Sequence, residues 1–297
     1  MGIMRKTAVV LALLLTLAGC GRTDEGASAP LSSPPSSPAT PVAASPEPTP
    51  EDSTPPATVA KKLEVWFAYG EHLFAAHHEV ETGPAVARAA MEELLARPTE
   101  FEANAGVATN VPPGTRLLGL TIENGVATVD LSEEYGSPGG GTMGESMAVA
   151  QVVYTLTQFP TVKGVAFEIE GTPLEMTPGH GIDLRDPQRR ADWEDLMPSI
   201  LVISPTMGEK VTSPVTVVGT ANVFEATVQM RILDAEGRRL DRAFTTATCG
   251  TGCRGEFSHE LTFQVDSEQH GIIEVWWDSP EDGSREDVVQ IAVTLAP

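Results

Sequence analysis

Residues 115–132 read TRLLGLTIENGVATVDLS, and this stretch decides the fold class of the first half of the chain. Apolar and polar residues alternate on both sides of Asn124-Gly125, a dipeptide that tolerates the positive dihedrals of a tight turn, so the stretch is predicted to be a β-hairpin. The segments flanking it have a different period. In GPAVARAAMEELLARP, residues 83–98, Val86, Ala89, Ala90, Leu94 and Leu95 share one helical face, with Pro84 at the start and Pro98 as a stop. In ESMAVAQVVYTLTQFP, residues 145–160, helical spacing runs through Met147, Val149, Ala150, Val153 and Leu156 and ends at Pro160. KLEVWFAYG, residues 62–70, reads as a strand, with a second extended piece in EHLFAAHHEV, and VKGVAFEIEG, residues 162–171, reads as another strand. The order is strand, helix, hairpin, helix, strand, which predicts an α+β domain over residues 61–184 with helices on one sheet face.

Beyond it, DPQRRADWEDLMP suggests a linker helix over 185–198, with Asp186 as cap and Pro187 at the first helical position. From residue 199 to 297 the character changes. Seven short strand-like runs, from ILVISP to DVVQIAVTL, recur at roughly ten-residue intervals between turn residues, the signature of an immunoglobulin-like β-sandwich.

The N-terminus carries a different message. Arg5 and Lys6 precede an apolar run from Ala8 to Ala18, shorter than the roughly 20 residues a membrane-spanning helix needs, so residues 1–19 read as an export signal. Leu17, Ala18, Gly19 and Cys20 resemble the lipobox of bacterial lipoproteins, which implies acylation of the Cys20 thiol and a mature chain beginning there. Several acyl chains on one residue suffice for stable anchoring. From there to residue 60 the chain is Pro, Ser, Thr and Ala with almost nothing large and apolar, a tether that builds no core. At about 3.1 Å per residue, roughly 40 such residues reach on the order of 100 Å. The expected location is the extracytoplasmic face of a cell membrane.

The formal charge of −22 argues against nucleic acid or an anionic lipid surface as a partner, because both repel a dense negative field. Cys249 and Cys253 remain after Cys20, and in an exported chain an even pair reads as a disulfide. The spacing also suits zinc, with His259 nearby, although zinc wants four ligands.

Candidate chemistry is sparse. His77 and His78, beside Glu79 and Glu81, are strand neighbours that point to opposite faces and so do not share one metal. His180 sits in a Gly-flanked loop without a serine or cysteine nucleophile motif, and GESMA, residues 144–148, lacks the second glycine of a nucleophile elbow. DSPEDG, residues 278–283, lacks the alternating ligands of a calcium loop. No catalytic residue, metal site or cofactor is expected. The one candidate binding residue is Trp276: alternation sends Ile273, Val275 and Trp277 inward and leaves Trp276 outside with Glu274, where an indole can meet a glycan ring or a protein.

VPPGTRLLGLTIENGVATVDLS (111–132) and AQVVYTLTQFPTVKGVAFEIEGTPL (150–174) resemble the GerMN domain of spore-germination proteins and bacterial lipoproteins, over about residues 63–184. ISPTMGEKVTSPVTVVGTANVFEATV (203–228), GEFSHELTF and WWDSPEDGS are similar to the immunoglobulin-like (Gmad) domain that accompanies GerMN, over about residues 199–296. The resemblance implies a lipid-anchored interaction or scaffold protein of the cell envelope, with an envelope protein or cell-wall polymer as partner, and it carries no catalytic residues across. An envelope hydrolase using His180, or a glycan-binding wall-remodelling protein, stands as the alternative.

Overall fold

The computed structural model describes residues 58–137 and 139–297; the stretches read as export signal, as lipobox at Leu17–Cys20 and, for nearly all its length, as tether lie outside the described residues. Strand β1 (Val59–Tyr69) turns at Gly70-Glu71 into β2 (His72–Thr82). The pairing runs the full length of both strands, from Val59 opposite Thr82 to Tyr69 opposite His72. The strand therefore begins inside the stretch read as tether: β2 offers partners as far as Thr82, and Val59-Ala60 take them.

Helix α1 (Val86–Ala96) follows, then a short α2 (Glu100–Asn104) that the sequence reading missed. Thr99 and Glu102 form a reciprocal capping box there, each side chain taking the other's backbone N–H. After the two-residue β3 (Val107–Ala108), which pairs with β1, come β4 (Leu117–Glu123) and β5 (Val126–Leu131). Asn124 and Gly125, at φ 51° and 84°, make the predicted turn between them. Helix α3 (Gly141–Leu156) then crosses to β6 (Gly164–Ile169), which lies parallel to β5, and β7 (Thr172–Pro173) closes the sheet. The strands thus form two sheets, β2-β1-β3 and β4-β5-β6-β7, rather than the single sheet expected. Helix α3 contacts both and has no polar face: every residue from Glu145 to Leu156 except Ser146 is buried.

The link to the second domain is a kinked 3₁₀ segment, Arg190–Leu196, rather than a helix capped at Asp186. Gln188 bonds Val165 through both its N–H and its carbonyl, at 2.8 and 2.9 Å, and this bridge keeps the backbone extended past Pro187.

The second domain is the expected sandwich. Strands β8 (Ile200–Ser204), β10 (Val215–Ala221) and β13 (Gly255–Leu261) form one sheet around β10. The other, in order β12-β11-β14-β15-β9, comprises β9 (Lys210–Val211), β11 (Thr227–Leu233), β12 (Arg239–Thr246), β14 (Gln269–Asp278) and β15 (Arg285–Leu295). Within residues 58–297 one hydrophobic core runs without a break from Val65 and Phe67, through Trp193 and Leu196, to Ile273 and Leu295. Lys62 pairs with Glu209 at 3.6 Å across the junction, and Phe101 lies so close to Gly208 that a Cβ there would sit 3.2 Å from its ring.

Candidate functional site

Trp276 is where sequence and structure part most clearly. Its position on the outer face is as alternation predicts, in line with Gln229 and Phe244 across β11 and β12, yet its exposure is 0 %. The expectation of an exposed indole is corrected, because three arginines cover the ring. The guanidinium carbon of Arg285 lies 4.4 Å from the ring centroid, that of Arg242 5.4 Å and that of Arg231 5.8 Å. The indole N–H donates to Asp278 at 2.8 Å. Glu274 binds beneath the arginines: Arg231 Nε donates to it at 2.5 Å and Gln290 at 2.8 Å, with Arg285 3.7 Å away. Burial opposes its charge, but these donors outweigh burial and hold the Glu274 carboxyl below the ordinary carboxylate range. Trp277 faces the core side, half-buried, and donates to Asp287 at 2.8 Å.

The histidines are placed separately. His77 and His78 do diverge as strand neighbours. His78, its side chain 9 % exposed, ties β2 to α1 and α2, contacting Glu93 at 2.8 Å and Glu102 at 3.2 Å. Burial would lower its pKa, but the two carboxylates raise it overall, and Glu102 is lowered in turn. His77 is lowered by burial, with Lys62 adding to the effect, and its Nδ1 is buried without a partner among the described residues. Glu79 and Glu81 do not join either ring.

His180 contacts the buried Glu145 of α3, Nδ1 to Oε1 at 3.1 Å, while its backbone N–H and the Thr177 hydroxyl donate to Oε2 at 3.0 and 2.5 Å. Burial works against the Glu145 charge, and the donated hydrogen bonds reverse it, leaving the pKa lowered. The sequence reading missed Glu145. The only charged residue of α3, placed in its first turns, was the available signal.

Cys249 and Cys253 are joined by a disulfide with Cα atoms 5.7 Å apart. Among the described residues no group of three His, Cys, Asp or Glu side chains converges as metal ligands. At the junction, Arg190 stacks on Trp66 and Tyr154, 5.3 and 4.7 Å from the ring centroids, and donates to the Tyr154 carbonyl and the Thr157 hydroxyl. Elsewhere a mainly apolar cleft of about 320 Å³ is lined by Tyr69, Leu73 and Phe74 of the first domain and Ile200, Val202 and Val289 of the second, among others. No described helix is long and apolar enough to cross a membrane.

Comparison with known proteins assigns both halves. Residues 69–175 match the Germane family, described as sporulation and spore germination, and residues 199–284 match Gmad2, described as an immunoglobulin-like domain of bacterial spore germination. This chain pairs a Germane domain with a Gmad2 domain. Among solved structures it is similar to the tandem GerMN domains of the sporulation protein GerM from Bacillus subtilis, at 18 % identity and TM-score 0.41 over 69 % of this chain, spanning 62 % of that one. The first GerMN domain of the same protein aligns at 24 % identity and TM-score 0.39, over 44 % of this chain and 99 % of that one. A putative lipoprotein from Clostridium perfringens aligns at 17 % identity and TM-score 0.34, over 48 % and 93 %. No curated protein matches the sequence. Neither family description names an enzyme.

Proposed function

We propose that this Germane–Gmad2 chain is a non-catalytic interaction protein of the bacterial cell envelope. Acyl chains on Cys20 hold it at the extracytoplasmic face of a membrane, and the Pro-rich tether sets its height. The observation that carries this reading is the unbroken core shared by the two sheet domains, which makes them one platform whose faces and strand edges keep a fixed relation. The sporulation and germination descriptions of both families support a place in an envelope assembly.

Two measurements test this. The Cys20→Ala variant is expected to leave washed membranes for the soluble extracytoplasmic fraction. Crosslinking of the anchored protein in intact cells is expected to recover a discrete envelope protein or wall polymer, and recovery of neither overturns the scaffold role. The Glu145–His180 contact favours a second reading, an envelope hydrolase. Its test is His180→Ala, and unchanged wall turnover removes it.

A further inference from the structure

We infer that the outer face of the five-stranded Gmad2 sheet binds the phosphodiester groups of a flexible anionic polymer, with Arg242 and Arg285 as its grips. Arg242 stands directly opposite Arg231 in the β11–β12 register, and like charges so placed destabilise a sheet.

The forks differ in what they hold. Arg231 is bound to Glu274. Arg242 has one long contact, to Gln229 at 3.4 Å, and no carboxylate partner among the described residues; Arg285 is 39 % exposed and only 3.7 Å from the shared Glu274. Three guanidiniums face the two carboxylates Glu274 and Asp278 around the indole, so the immediate surroundings of the ring carry one surplus positive charge in a chain of formal charge −22. At physiological salt the screening length is about 8 Å, so a ligand seated here is largely shielded from the acidic remainder. A duplex or a lipid surface would bring dense charge against the whole acidic body, whereas a flexible chain presents its phosphates a few at a time.

Arginine forks match phosphate oxygens and stay charged at any working pH. These two reach the indole from β12 and β15, three strand spacings or about 14 Å apart at the backbone, and so approach from different directions. A tetrahedral phosphodiester accepts from non-coplanar donors, while a planar carboxylate fills one fork. Phe244, 64 % exposed on the same face, offers apolar contact to the carbon segments between phosphates.

The inference deepens the envelope-interaction reading and rests on it for where the polymer is met, not for the binding chemistry. Its test uses the full-length chain in detergent and poly(glycerol phosphate) as probe, with calorimetry at several salt concentrations. Saturable, salt-sensitive binding is expected. Arg242→Gln with Arg285→Gln is expected to weaken it at least tenfold and to flatten the log K against log salt slope by about 1.4, two contacts at about 0.7 each. The Arg→Lys pair, which keeps charge and loses the fork, is expected to lose several-fold and decides the matter should the Gln pair misfold. Arg88→Gln, on α1, is the control and leaves binding unchanged. Absence of binding, equal binding of polyglutamate, or undiminished binding by the variants overturns the inference, and none of these bears on whether Cys20 is acylated.

Discussion

Two tryptophans in this molecule are capped by arginine, and they differ in what the arginine has left over. At the junction Arg190 stacks on Trp66 and Tyr154 and donates to the Tyr154 carbonyl and the Thr157 hydroxyl, so cation and indole form a closed unit. On the outer Gmad2 face three guanidiniums crowd Trp276, and those of Arg242 and Arg285 keep most of their donors unengaged among the described residues. A cation–π contact therefore does not distinguish a structural clamp from a recognition surface; the satisfaction of the fork does.

Breaking the closed unit should cost most. Trp66→Ala removes a side chain only 2 % exposed from the shared core and is expected to lower stability by about 3–5 kcal/mol, read from urea unfolding. Arg190→Leu keeps the volume and loses the stack and its hydrogen bonds, for an expected loss of about 1–2 kcal/mol in the same measurement. A loss below about 0.5 kcal/mol for either would place Trp66 in the same class as the outer face.

The His78 clamp sharpens the contrast through pH. His78 is raised from its ordinary 6.5, so the stability it adds is complete below 6.5 and is lost as pH rises through the higher folded value. Glu102 is lowered from its ordinary 4.5, so its share is present above 4.5 and is lost as pH falls through the lower folded value. The clamp is thus strongest between about 4.5 and 6.5, and unfolding free energies of the native chain and His78→Leu should differ most there. A difference independent of pH would contradict the ion-pair description. The smallest effect on stability belongs to Arg242→Gln: within about 0.5 kcal/mol, because the side chain is exposed and sits opposite a like charge.

What the sequence made legible was local. The turn at Asn124-Gly125 is encoded by two adjacent residues, and the disulfide pair by four positions of separation. The Thr99–Glu102 capping box was equally local, but Pro98 read as the end of helix and hid the five-residue α2 behind it. The linker segment is helical only from Arg190, and as a kinked 3₁₀ turn, for a non-local reason, since Gln188 is claimed by Val165 of β6. Burial of Trp276 was illegible on the same ground: alternation gives a side chain's face, while its cover comes from β11, β12 and β15, and only the register brings Arg231, Arg242 and Arg285 over one ring. The buried Glu145 is explained only by Thr177 and His180, more than thirty residues onward.

Placement at a membrane is the claim on which the envelope function depends, and the intact mass of the mature chain purified from native membranes tests it most directly. The expected result is an N-terminus at Cys20 carrying diacylglycerol on the thiol. A mature chain that begins elsewhere, or that bears an unmodified Cys20, would contradict it.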